Sequence, residues 1–450
     1  MTGAERRAVA GLAGIFGLRM FGLFLLLPVL AVYAGELPGS TPLLVGLTMG
    51  IYGLSQACLQ IPFGWWSDRL GRKRVITAGL VLFALGSLVA AVGEHILVVL
   101  LGRFLQGAGA ISAAVLALTA DLTREEHRHK AMAILGMMIG AVFMLSLAAG
   151  PVLEQLVGVP GLFWITAALA PAAVLVLWRL VPAPARSVTH HDVETAPEYV
   201  RRVLRDPHLL RLDFGIFMLH AVLMAMFVAV PITLSDGLGI GVGDHWKIYI
   251  PVLLCSLLLM IPLVLLAGRG ARVFRIAPVA VGLLLAAQAV LAAGDGFWAL
   301  AIALWLFFGG FNTLEALLPS LVSRIAPAAG KGTAIGVYNT WQFLGVFAGG
   351  TAGGWVHGAW GLNGVALMCA GGLALWLLVL FTGARPALFE SRLLRIPDAT
   401  AAEASGLSEE LVRIPGVLEA TVVADEGVAY VKIDSERLDE DRLARYGAPS

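Results

Sequence analysis

Gly64-Trp65-Trp66-Ser67-Asp68-Arg69-Leu70-Gly71-Arg72-Lys73-Arg74 separates two long apolar runs, and its spacing decides how the rest of the chain is read. Gly64 lets neighbouring helices approach closely. Gly71 frees the backbone for a tight turn between two helices. Asp68 falls at the end of a helix, where the positive N-terminal end of a neighbouring helix would meet it favourably. The helix expected to begin near Gly332 is the candidate neighbour. A charge cluster that only sets topology is the plainer reading, and the ordered spacing of Gly, Asp, Arg, Gly and Arg argues against it.

The runs on either side belong to a chain built for lipid. Of its 450 residues, 59% are hydrophobic and 14% charged, against roughly a quarter charged in soluble domains. Mean hydropathy is +0.86. A spanning helix takes about 20 apolar residues, and only such a helix satisfies its own backbone polar groups in the bilayer. Spans are expected near 9–34, 43–67, 75–93, 96–120, 130–156, 160–181, 209–236, 247–267, 275–293, 297–322, 332–357 and 361–383, numbered one to twelve below. Arg6 and Arg7 ahead of an apolar stretch imitate a signal peptide. That stretch is too long for a cleavable core and Arg19 interrupts it, so it reads as an uncleaved first span. Cys58, Cys255 and Cys369 lie in apolar runs and read as core residues; an odd number without CxxC makes neither a disulfide framework nor a metal site. The net charge of +1 argues against nucleic acid as partner.

Basic residues mark alternate loops: Arg69 to Arg74, Arg124 to Lys130, Arg179 to Arg211, Arg269 to Arg275, and Arg324 with Lys331. The intervening loops have none, except for Lys247 at the start of span eight. The positive-inside rule then places both termini in the cytoplasm of a polytopic inner-membrane protein. The polar loop 182–208, with a short amphipathic helix near Val200–Leu204, splits the spans six and six. The halves also repeat: Ile61-Pro62 meets Ile261-Pro262, and Arg69 and Arg72 meet Arg269 and Arg272, at an offset of 200. Lys130-Ala131-Met132-Ala133-Ile134 meets Lys331-Gly332-Thr333-Ala334-Ile335 at 201. Equal topology makes these parallel repeats, which naturally enclose a central cavity.

Four parts follow: a six-helix bundle over 1–181, a linker over 182–208, a second bundle over 209–385 and a soluble tail over 386–450. In the tail, 391–396 reads as a strand, 400–413 as a helix, Val417–Ala424 and Val428–Ile433 as strands around an Asp425-Glu426-Gly427 turn, and 438–445 as a last helix. The expected fold is therefore an all-α polytopic membrane protein with a small α+β, βαββα ferredoxin-like domain.

Several motifs carry a resemblance. The opening stretch fits GxxxDRxGRxx. Arg103-Phe104-Leu105-Gln106-Gly107-Ala108-Gly109-Ala110 in span four fits RxxQGxGA. Gly150-Pro151 in span five fits the start of GPxxGG, with Glu154 and Gln155 in place of the last glycines. Together they resemble the major facilitator superfamily, drug:proton antiporter type. Gly53-Leu54-Ser55-Gln56, Glu315-Ala316-Leu317-Leu318-Pro319, Gln342-Phe343-Leu344-Gly345-Val346 and Tyr430-Val431-Lys432-Ile433-Asp434-Ser435 are similar to a proton-coupled, drug-efflux-type group with a soluble tail. The tail is also similar to heavy-metal-associated domains, but it has no cysteine. Being acidic, it disfavours nucleic acid and anionic lipid, which leaves a regulatory or docking module.

The resemblance implies that Asp121 pairs with Arg69 in a conformational gate formed with Gly64, Asp68, Gly71 and Arg72. It also implies that spans one, four, seven and ten line the cavity. Arg103, with Gln106 and Gly107, marks a pathway or snorkels to an interface. His220 shares a helix face with Phe217, Met224 and Phe227, and Glu315 with Phe308, Phe311 and Asn312. Either ionisable group can carry a proton; each is alternatively structural, Glu315 paired with backbone or Asn312 and His220 hydrogen-bonded in the core. Arg19, with Phe16 on its face, completes a set rich in aromatic rings and methionines. Such a set favours a bulky lipophilic or cationic ligand over a sugar. Proton-coupled efflux by alternating access is the leading function. Proton symport of a small nutrient and sensing through the tail remain open. No catalytic or nucleotide-binding motif appears, so no enzyme and no cofactor is expected; the partners are a small-molecule substrate, protons and membrane lipid.

Overall fold

The computed structural model describes residues 1–183, 197–268, 272–327, 330–382, 390–396, 404–424, 427–433 and 438–446. Among them are 10 helical segments long and apolar enough to cross a membrane. Two, Lys130–Arg179 and Lys331–Thr382, each join a pair of helices across a kink, at Gly158 (φ 67°) and Gly361 (φ 63°). Counted singly, these make the twelve expected spans.

Two spans expected to be continuous are broken. Span one runs as Gly3–Phe24 and Leu30–Glu36. The gap holds Pro28, which has no N–H to continue the ladder. Span four runs as Ile96–Ala108 and Ser112–Asp121. Its break falls where Gly107 lies on the Tyr52 carbonyl of span two and Gly109 on the Gly79 carbonyl of span three. Span seven, Pro207–Ile232, ends in a π-helical turn at Thr233–Gly237. The linker helix is Pro197–Val203; residues 184–196 and Arg269 lie outside the described residues.

Span two packs along span eleven through glycines. Gly46 faces Gly350 and Gly354, Gly50 faces Phe347, and Gly53 faces Phe343. Backbones meet there so closely that a Cβ would collide. This seam occupies the part of span two remote from the Asp68 loop. Trp65 and Trp66, beside that loop, are exposed. The two halves are thus joined at the end opposite the basic loops. At the basic end, Glu5 caps its own helix with Thr2 and also binds Arg124 at 3.0 Å, tying the N-terminus to the loop after span four.

In the tail, β1 (Glu390–Arg395), β2 (Val417–Val423) and β3 (Val428–Ile433) form a sheet of order β1-β3-β2. β3 is antiparallel to both neighbours. The helices Ala404–Val412 and Glu440–Leu443 complete the βαββα order. Leu394, Leu411, Ile414, Val431, Ile433 and Leu443 form its core. The start of the expected 400–413 helix and the Asp425-Glu426 turn fall outside the described residues.

Candidate functional site

Gly71 (φ 95°) lets the chain turn from Leu70 directly into the helix beginning at Arg72. That turn folds the Arg72 side chain back between spans two and four. Its guanidinium binds Asp68, reaches Asp121 at 3.1 Å and donates to Ser67 at 2.9 Å. The expected Asp121–Arg69 pair is therefore replaced by Asp121–Arg72. Arg69, in the last turn of span two, instead lies over the Trp65 ring, 3.7 Å from its centroid. Asp68 bonds to Arg72 rather than meeting the start of span eleven, and is one-third exposed. Gly64 lies against Ala113 of span four.

Mid-span in the first half is a buried polar cluster. Arg19 donates to the Tyr52 hydroxyl (3.0 Å) and to Gln56 Oε1 (2.6 Å). Arg103 donates to Gln106 Oε1 (2.8 Å), and Gln106 donates to Ser87 (2.8 Å). At 1% exposure, Arg103 is turned into the bundle, not out to an interface. Phe16 belongs to the apolar core beside this cluster. Gly150 sits against the Leu25 carbonyl and Pro28, where span five crosses the break in span one.

In the second half, His220 and Glu315 come together: Nε2 lies 3.2 Å from Oε1. Gln342 of span eleven adds its amide nitrogen 2.8 Å from the same Nε2, and Nδ1 lies 3.3 Å from the Ile216 carbonyl. A neutral ring donating from Nδ1 to Ile216 leaves an acceptor at Nε2. A protonated Glu315 or the Gln342 amide can fill it. An ionised Glu315 calls instead for a proton on Nε2. Glu315 Oε1 makes no hydrogen bond in this arrangement, so a proton can pass between carboxyl and imidazole once the two side chains turn from contact into a hydrogen bond. Phe311 packs edge-on to the His220 ring, and Asn312 donates to Ser256 at 3.3 Å, not to Glu315. Phe217 meets Trp341 edge-on. Met224, Phe227 and Phe308, expected on the cavity face, are packed in the apolar core.

The structure adds residues that the sequence reading missed. Asp213 is buried one face-repeat before His220, and its Oδ2 has no partner. The Tyr338 hydroxyl of span eleven is also buried without a partner. The spacing of seven from Asp213 to His220 was the available signal. No group of residues suited to hold a metal occurs among the described residues.

Residues 12–350 match the family model of the Major Facilitator Superfamily, and 394–439 match that of the YajR YAM domain. The chain therefore belongs to the major facilitator superfamily, as a multi-pass membrane transporter and not an enzyme. It is 43% identical to the inner membrane transport protein YajR of Escherichia coli K12, over 97% of this chain and 96% of that one. It is 29% identical to the quinolone resistance protein NorA of Staphylococcus aureus, over 40% of this chain and 47% of that one. Its fold is similar to that of a bacterial homologue of the human lysosomal transporter Spinster, solved in an inward-facing and occupied conformation. There the TM-score is 0.70, identity 14%, and coverage 85% of this chain and 97% of that one.

Proposed function

We propose that this transporter is a proton-coupled antiporter that exports lipophilic, drug-like small molecules across a bacterial inner membrane. The observation that carries the reading is the His220–Glu315 contact at 3.2 Å, shared with Gln342. It sets two titratable groups side by side among aromatic rings at mid-span, where an ionisable residue is a functional group by default. The similarity to NorA, a quinolone resistance protein, and to YajR, an inner membrane transport protein, points the same way.

With the basic loops in the cytoplasm, the glycine seam between spans two and eleven closes the periplasmic side. Rocking of the halves would part that seam and close the Asp68–Arg72–Asp121 end. Proton capture by Glu315 in one facing state, and release in the other, links the gradient to substrate movement. Glu315→Gln keeps volume and hydrogen bonding but removes the titratable group. In proteoliposomes it should still bind ligand while losing transport driven by a pH gradient. Normal gradient-driven transport by Glu315→Gln would reduce Glu315 to a structural role.

A further inference from the structure

Two guanidiniums at the centre of the first half have no counter-charge. Arg19 is 2% and Arg103 1% exposed. Both are arranged about one side chain: Arg19 donates to the Tyr52 hydroxyl, and Arg103 lies 5.3 Å from the Tyr52 ring centroid. Their other acceptors, Gln56 and Gln106, are neutral amides. Among the described residues neither arginine is paired with a carboxylate, and Arg19 Nε, Arg19 Nη1 and Arg103 Nε have no partner at all. Arginine does not escape this by losing its proton. Two like charges this close, away from water, repel strongly, and buried charges are ordinarily paired. Arg72 of the same half shows the satisfied alternative, with Asp68 and Asp121 beside it.

We propose that Arg19 and Arg103 form a binding site for an anionic group, so that the transported molecules are amphiphilic organic acids. This rests on the transport reading above and names its substrate class. The remaining donors suit a carboxylate, sulfonate or phosphate, which guanidinium binds better than any neutral acceptor. The surroundings suit an aromatic or aliphatic body. Phe83 lies 5.8 Å from the Arg19 guanidinium, and Phe343 of the other half meets Tyr52 at 6.3 Å. Arg19 is midway along the first span, Gly3–Phe24 with Leu30–Glu36. Lipid headgroups lie at the membrane surfaces, which makes a diffusible solute the occupant. Of the bulky lipophilic or cationic ligands expected from the aromatic and methionine faces, the two guanidiniums keep the lipophilic body and favour an anionic group over a cationic one.

The test is equilibrium binding to the purified full-length protein in detergent, with no pH gradient, of three probes sharing one ring system. These are 1-naphthylacetate, its neutral amide and 1-naphthylmethylamine. The acetate should bind at least about tenfold tighter than the amide, the gain from one charge-assisted hydrogen bond. Arg19→Gln and Arg103→Gln should each abolish that preference, bringing the acetate's affinity down to the level of the amide's. Arg19→Lys and Arg103→Lys, which retain charge with fewer donors, should keep part of it, so a misfolded glutamine variant does not decide the matter. Equal affinity for the three probes, preference for the amine, absence of acetate binding, or an acetate affinity unmoved in all four variants would overturn the site. Arginine-dependent acetate binding without gradient-driven transport would sink the antiport reading alone. Gradient-driven transport of the amine without acid preference would sink the anion site alone.

Discussion

The two halves of the transporter carry opposite chemistry at mid-span. Around Tyr52 the buried charges are guanidiniums, held by neutral hydroxyl and amide groups. Around His220 the groups are titratable: the buried imidazole and Asp213, and the one-third-exposed Glu315, with Gln342 on the ring. At the repeat offsets of 200 and 201, Arg19 falls on Leu219 and His220 of span seven. One repeat thus has a permanent charge where the other has a titratable one. A guanidinium keeps its charge at any physiological pH, whereas imidazole and carboxyl change theirs. Fixed charge holds a ligand but cannot carry a proton; a titratable pair does the reverse. We infer that the repeats have divided binding from coupling.

The strongest way to break this division is to compare Glu315→Gln with Arg19→Gln in the same proteoliposomes. Glu315→Gln should lower pH-driven transport by at least about tenfold, the loss typical of removing a positioned proton carrier, with ligand affinity little changed. His220→Gln should lose less, because it leaves the Glu315 carboxyl in place to titrate. Arg19→Gln should weaken binding and leave the pH profile of residual transport in place. A flattened pH profile in Arg19→Gln, with binding intact, would reverse the assignment of the halves.

Stability supplies the next contrast, within the first half alone. Arg72 is buried between two carboxylates, and Asp121 is wholly buried as well. Removing one partner of such a pair costs about 3–5 kcal/mol. Arg72→Gln should therefore show a large loss in thermal unfolding experiments. Arg19 has no carboxylate to lose, so Arg19→Gln should leave the melting temperature of ligand-free protein unchanged or raise it. A large drop for Arg19→Gln would show that its charge is already satisfied, and would remove the ground for the anion site.

Much of this was legible in the sequence, and the boundary is physical. Span number, the turn at Gly71 and the tail topology depend on local hydropathy, glycine geometry and strand alternation, all of which a sequence displays. Which way a helix faces depends on its neighbours, and there the reading failed. Arg69 and Arg72 both follow Asp68 closely, but only Arg72 leaves Gly71 in a direction that reaches Asp121. Met224, Phe227 and Phe308 share faces with His220 or Glu315 and still pack in the core, because a helix face is wide enough to meet both cavity and neighbour. Asp213 was hidden by its position, four residues after the expected start of span seven and beside Arg211. Its burial without a partner for Oδ2, seven residues before His220, makes it a second acidic member of the coupling half. Asp213→Asn should reduce pH-driven transport by roughly threefold to tenfold, about 0.7–1.4 kcal/mol. A pH profile identical to that of the parent would confine the coupling group to His220 and Glu315.

The smallest effect should come from the tail, whose described residues reach the coupling half and the linker helix. Span ten runs from Phe297 to Ile325, and Lys432 of β3 donates to the Ile325 carbonyl at 2.9 Å and to that of Ala326, just beyond the helix, at 3.3 Å. Glu419 of β2 pairs with Arg202 of the linker helix at 2.8 Å. Burial in this contact draws the Lys432 ammonium below its usual range, with Glu419 opposing the shift. Span ten is the helix that carries Glu315, so the tail holds one end of the helix whose middle is proposed to move the proton. A cation at a helix C-terminus is worth about 0.3–1 kcal/mol, enough to bias a facing equilibrium by roughly twofold to fivefold but not to decide whether the protein folds. Deleting 386–450 should thus leave a monodisperse, membrane-inserted transporter. Lys432→Ala should shift the inward and outward populations, read as spin-label distances across the basic end, without changing probe affinity at Arg19. If Lys432→Ala instead alters acetate binding and leaves those distances alone, the tail acts on the first half, and the separation of binding from coupling fails at the point where the soluble domain meets the bundle.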